Sequence, residues 1–95
     1  MIRIEIIANQ SVQDELISNI ESLLPELLYT IIPLANGKGK NSYKKGDTTW
    51  PETNFVFIAY AEENIEKKIS QIVRFIKLKF STEGIKLFIL HDNKV

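Results

Sequence analysis

Residues 53–80, TNFVFIAYAEENIEKKISQIVRFIKLKF, change from one hydrophobic pattern to another and largely decide the fold. The first part, Thr53 to Ala61, is rich in aromatic and β-branched residues, which favours a strand. From Glu62 to Phe80 the apolar side chains recur every three or four residues, as on one face of an α-helix. The stretch therefore predicts a strand followed by an amphipathic helix.

The first part of the chain repeats this order. Residues 1–8 alternate between apolar and polar side chains, which predicts a half-buried strand. Ser11 is the predicted N-cap of a helix that Pro25 ends. Two further strands are predicted, at Leu27 to Ala35 and at Ile85 to Leu90.

This element order, β-α-β-β-α-β, predicts one α+β domain over residues 1–95. We expect a ferredoxin-like sandwich, in which both helices cover one face of an antiparallel sheet of order 4-1-3-2.

The composition excludes several classes of function. The 95 residues include 12 basic and 12 acidic side chains, one histidine and no cysteine. Disulfides, zinc fingers, iron–sulfur clusters and thiolate nucleophiles are therefore ruled out within the chain. Because His91 is the single imidazole and cysteine is absent, the sequence lacks the ligands of a soft-metal site, and we expect no metal. No pair of titratable groups in the sequence predicts acid–base chemistry, so we also expect no catalytic residues. We also expect no DNA partner, no membrane insertion and a cytoplasmic location.

Strands two and three are apolar on both sides. In the third strand Phe55 and Phe57 alternate with Val56, Ile58 and Tyr60. One set is expected to pack on the helices, and the other to form an open apolar face of the kind that isolated monomers avoid. A subunit interface is the first interpretation, and cover by the loop or the C-terminal tail is the alternative.

The connection between strands two and three spans about residues 36–53, longer than hairpin loops usually are. It is basic and rich in glycine, with Lys38, Lys40, Lys44, Lys45, Gly37, Gly39 and Gly46. Gly-Lys-Gly-Lys at the end of a strand can turn backbone N–H groups and ammonium groups toward one anion. A solvated basic loop is the alternative. Trp50 is interpreted either as a contact residue or as an anchor for the base of the loop.

Three segments resemble the PII-like signalling family. Gly37-Lys38-Gly39-Lys40-Asn41 is similar to the Gly-x-Gly-Arg-Gln segment that opens the family's long T-loop. Residues 72–76 resemble its second helix. Residues 83–89 resemble the segment Gly-Asp-Gly-Lys-Ile-Phe-Val that enters its last strand, with Lys86 at the lysine position. The similarity in element order and loop position covers nearly the whole chain.

The resemblance implies a regulatory protein rather than an enzyme. It would be a homotrimer that binds a small anionic ligand in clefts between subunits. The ligand-binding residues would be Gly37, Lys38, Gly39, Lys40, Asn41, Gly84 and Lys86. A partner protein, such as a transporter or metabolic enzyme, would contact the loop through Tyr43, Lys44, Lys45 and Trp50.

Two departures bear on the ligand. Ile85 stands where the family has a second glycine, and the C-terminal arginines that hold nucleotide phosphates are absent from this sequence. Both argue against ATP or ADP, and they leave another nucleotide or a small anion open. Three alternative functions remain: an RNA-recognition-like module, a small ferredoxin-like oligomeric enzyme and a metal-tolerance-type trimer.

Overall fold

The computed structural model describes residues 1–37 and 53–92. Four strands, two α-helices and two short 3₁₀ turns follow one another in the predicted order. They are β1 (Ile2–Asn9), a turn (Gln10–Val12), α1 (Gln13–Leu23), β2 (Tyr29–Asn36), β3 (Thr53–Ala61), a turn (Glu63–Ile65), α2 (Glu66–Lys79) and β4 (Ile85–His91).

The four strands form one antiparallel sheet of order β2-β3-β1-β4. This is the predicted order 4-1-3-2, counted from the other edge, so the ferredoxin-like prediction is confirmed. The central strand β1 pairs with β3 on one side and β4 on the other, and Ile4 lies between Ala59 and Ile89. As a consequence, β2 and β4 lie at opposite edges of the sheet.

One face of the sheet packs on both helices and contains the core. The alternation of β1 places Ile2, Ile4 and Ile6 on this side, where each is at most 1% exposed. Phe55 and Phe57 of β3 lie beside them. The helices contribute the apolar stripes that their sequences predict, namely Val12, Leu16, Ile20, Ile69, Ile72, Val73 and Ile76.

Both helices begin later than the sequence predicts. The Ser11 N-cap prediction is wrong: the side chain of Asn9 accepts a hydrogen bond from the backbone N–H of Ser11, at 3.0 Å, and caps a 3₁₀ turn. The Ser11 hydroxyl instead donates to Glu83. The second helix likewise starts at Glu66, because residues 63–65 form a 3₁₀ turn. Each tight turn leads the chain from the sheet into the helix layer.

The edge strand β2 is irregular. Its register with β3 shifts between Ile32 and Ala35, so Pro33 and Leu34 lie opposite a single residue of β3. Proline has no N–H to give to a neighbouring strand, and it is tolerated at an edge or a bulge. No helix in residues 1–37 and 53–92 is long and apolar enough to cross a membrane.

Candidate functional site

Within the described residues, no helix lies on the second face of the sheet. We call it the open face, and the strand registers place on it Arg3, Glu5, Ile7, Thr30, Ile32, Val56, Ile58, Tyr60, Lys86, Phe88 and Leu90. Its large apolar side chains are exposed to an unusual degree. Tyr60 is 56% exposed, Leu90 54% and Phe88 45%. The prediction that strand three presents apolar residues on both sides is therefore confirmed.

Two oppositely charged side chains lie on this face along β1. The guanidinium of Arg3 donates from Nε to the carboxylate of Glu5 at 2.7 Å. Its Nη1 also donates to the hydroxyl of Tyr60, and the guanidinium carbon lies 5.4 Å from the centre of the Tyr60 ring. The hydrogen bond with Glu5 is the main reason that the pKa of Arg3 is raised above its ordinary value. These three residues form a polar cluster, which we call the Arg3–Glu5–Tyr60 cluster.

Lys86 lies on the open face near the end of the sheet from which the long loop leaves. Its side chain is exposed. Lys86 is opposite Ile7 of β1, Ile7 is opposite Val56 of β3, and Val56 is opposite Ile32 of β2. The row runs across all four strands, with the ammonium group at the β4 edge. The backbone carbonyl of Gly84, just before β4, accepts a hydrogen bond from the N–H of Asn9 at 2.9 Å.

Gly37 follows β2 directly, as the sequence predicts, but it does not lie beside Lys86. The two residues are at the same end of the sheet, on opposite edges. Neighbouring strands are about 4.8 Å apart, so three spacings separate the edges by roughly 14 Å. A ligand that contacts both residues of one chain would therefore have to span roughly 14 Å.

The other predicted ligand residues, Lys38, Gly39, Lys40 and Asn41, lie outside the residues that the structure describes. The same is true of the predicted partner contacts Tyr43, Lys44, Lys45 and Trp50. Their roles stay predictions. The structure does fix where this segment leaves and rejoins the sheet, at Asn36 and Thr53.

Sequence reasoning missed the Arg3–Glu5–Tyr60 cluster. Arg3 and Glu5 lie two residues apart, so a shared strand face was foreseeable. Tyr60 is 57 residues away, and only the register of β1 with β3 brings it opposite Arg3. Glu5 in the central strand also weakens the RNA alternative, since a carboxylate in the middle of the face repels phosphates.

The helix layer also has an exposed apolar patch that the sequence analysis did not single out. Leu23 and Phe75 border a shallow groove of about 300 Å³ between α1 and α2, together with Lys68. Leu78 is nearby in sequence and 79% exposed. Within the described residues, no group of three histidine, aspartate or glutamate side chains converges as a metal site would require.

No protein-family model and no curated protein matches the sequence. Solved structures do match. A PII-like signalling protein from Thermus thermophilus has a TM-score of 0.62 at 20% identity, and the match covers 93% of this chain and 82% of that one. CPII, a nitrogen regulatory PII-like protein from Thiomonas intermedia, was solved with ADP and bicarbonate. Its TM-score is 0.65 at 19% identity, over 99% of this chain and 86% of that one.

A de novo designed protein, Foldit4, matches too, with a TM-score of 0.53 at 14% identity over 97% of this chain and 98% of that chain. The fold can therefore exist without a natural function. At these identities the comparisons establish the fold that this chain shares with PII-like proteins, as the sequence resemblance implied. What the chain binds has to be argued from its own residues.

Proposed function

We propose that this protein is a PII-like regulatory protein that assembles as a homotrimer and binds a small anion between its subunits. The observation that carries the proposal is an exposed apolar sheet face on a fold shared with PII-like signalling proteins. A large exposed apolar patch on a protein commonly marks a site of interaction with another molecule. CPII, with the same fold, was solved with ADP and bicarbonate, both of which are anions.

The proposed ligand site combines the two edges of the sheet. Lys86 supplies an ammonium group at the β4 edge, and the segment that follows Gly37 supplies Lys40 and backbone N–H groups at the β2 edge. Since these edges are on opposite sides of one chain, assembly has to bring the β2 edge of one copy to the β4 edge of another. The long segment would then respond to the ligand and contact a partner protein.

Two measurements test the proposal. Light scattering at micromolar concentration should give a mass of about 33 kDa, three copies of the 10.9 kDa chain. Calorimetry with ADP, AMP and bicarbonate should detect binding of at least one of them. Lys86→Ala and Lys40→Ala should each weaken that same ligand about tenfold or more, because a charge-assisted hydrogen bond contributes about 1.5–3 kcal/mol.

Lys68→Ala is the matched control, since it removes the same charge from the exposed side of α2. The Lys68→Ala variant should bind the same anion as tightly as the unmodified protein does. An anion that binds equally well to all three variants would place the site elsewhere. A mass of 10.9 kDa would contradict the assembly, and no binding of any anion would make the long segment a protein-contact arm rather than a ligand sensor.

A further inference from the structure

The open face is apolar apart from a charged pair on β1 and a lysine near one end. Within the described residues, its charged side chains are Arg3, Glu5 and Lys86, and Lys86 lies toward one end. Glu5 lies between Ile58 of β3 and Phe88 of β4. Arg3 lies between Tyr60 and Leu90 in the next row. Any partner that covers the apolar side chains must therefore also cover Arg3 and Glu5.

Arg3 and Glu5 are already partly withdrawn from water in the single chain. The side chain of Arg3 is 36% exposed and that of Glu5 25%. Their 2.7 Å hydrogen bond makes the pair electrically neutral, and the Tyr60 hydroxyl accepts a further guanidinium N–H. A neutral, hydrogen-bonded pair costs far less to bury than either charge alone, although it need not be better than an apolar pair.

The charge balance of the Arg3–Glu5 pair indicates which partner fits the open face. An acidic peptide or a nucleic acid would need an excess of positive charge there, and the Arg3–Glu5 pair provides none. A second copy of the chain brings the same apolar rows and the same balanced pair of one acid and one base. Each copy's Arg3–Glu5 pair is neutral, so docking two copies through these pairs leaves neither charge uncompensated.

We propose that the Arg3–Glu5–Tyr60 cluster is the specificity-determining element of a self-assembly surface, which docks on further copies of this chain only while positions 3 and 5 carry no unbalanced charge. This inference rests on the proposed assembly and adds the residues that control it. Removing one charge leaves the other buried and uncompensated on docking. Removing both leaves an apolar face that still docks but no longer discriminates by charge.

The test is a double-mutant cycle on the intact protein. Sedimentation velocity over a dilution series measures the concentration at which the assembly dissociates. The proteins compared are the unmodified chain, Glu5→Leu, Glu5→Gln, Arg3→Met and the double variant Arg3→Met/Glu5→Leu. Each single variant should raise that concentration about 30-fold or more. For the double variant, the dissociation concentration should be at most about tenfold above that of the unmodified protein, and it can be lower.

Glu15→Gln is the matched control. Glu15 is also in a glutamate–cation pair, with Lys79 at 3.0 Å, and its side chain is 26% exposed, but it lies on the helix layer. This substitution should leave the dissociation concentration unchanged. Far-ultraviolet circular dichroism on each diluted variant checks that the chain is still folded.

The outcomes separate the inference from the proposed function. If the unmodified chain is monomeric, the assembly itself is wrong and the inference falls with it. If the chain assembles and the single variants assemble as tightly as it does, the proposed function stands and the role of the cluster is overturned. A double variant that is weaker than both Arg3→Met and Glu5→Leu also overturns it, since charge balance would then not be what the face requires.

Discussion

The two faces of the sheet contain similar side chains in very different surroundings. On the helix side, Phe55 and Phe57 of β3 are fully buried. On the open side, Tyr60 of the same strand is 56% exposed. Both faces are predominantly apolar, yet among residues 1–37 and 53–92 only one of them is covered.

This difference shows that hydrophobic pattern alone does not define a core. The helices cover one face because their own apolar stripes need burial, and two helices of 11 and 14 residues cover only one side of a four-stranded sheet. The apolar side chains of the second face are not needed to bury the apolar stripes of these helices. A surplus of this kind is what an assembly surface would need.

Neighbouring residues of β3 give the strongest test of this contrast. Phe57→Ala should lower the free energy of unfolding by about 3–5 kcal/mol, because it removes a buried ring and leaves a cavity. That ring also stacks on Tyr29 with 5.0 Å between centroids. Ile58→Ala, on the open face, should cost less than half as much in urea unfolding of dilute protein. Equal losses would contradict the view that the two faces differ within one chain.

A charge on the open face should separate assembly from folding. Ile58→Lys should reduce the mass in light scattering from about 33 kDa to that of the 10.9 kDa chain, because an added ammonium group beside the balanced Arg3–Glu5 pair would leave a net charge buried between copies. The helical circular dichroism signal should be retained. Leu78→Lys is the control, since Leu78 is 79% exposed on the helix side. Dissociation of both variants would remove the distinction between the faces.

The smallest expected effect concerns the ion pair that joins the two helices. The hydrogen bond from Lys79 lowers the pKa of Glu15 below its ordinary value of 4.5. A carboxyl whose pKa is lower in the folded state stabilises the fold above its unfolded pKa, and this contribution disappears as the pH falls through the folded value. Glu15→Gln should therefore give a slightly lower Tm than the unmodified chain at neutral pH.

That gap in Tm should narrow as the pH falls below 4.5, when Glu15 itself becomes neutral. Differential scanning calorimetry across the acid range measures it. A gap that stays constant in acid would mean that the substitution acts through packing rather than through the charge of Glu15.

Much of the fold follows from the sequence. The bounds of β3 at Thr53 and Ala61 agree with the prediction, since a run of aromatic and β-branched residues is a strong strand signal. The strand order agrees too, because few topologies suit this element order. The starts of the helices were less predictable. Polar residues near a helix N-terminus, such as Asn9 and Ser11, compete as caps, and only the packing of the turn decides between them.

The candidate site could be predicted in part. Lys86 and Gly84 are candidates by the family resemblance, and their ligand-binding role stays a prediction. The structure places them at the end of the sheet where β2 ends and β3 begins. Gly37 and Lys86 lie on opposite edges because of the strand order, and the element order β-α-β-β-α-β already predicts that strand order. The partnership of Arg3 with Tyr60 could not be read from the sequence alone, since it depends on a register between distant strands.

The pairing of the central strand has a consequence for how the chain folds. Ile2 pairs with Ala61 and with His91, so β1 finds its partners only in the second half of the sequence. Closing such long loops costs chain entropy before any contact offsets it, and proteins dominated by distant pairings fold slowly. During synthesis, β1 leaves the ribosome well before β3 and β4, the two strands with which it pairs. The apolar β1 is therefore exposed longest to chaperones and to aggregation.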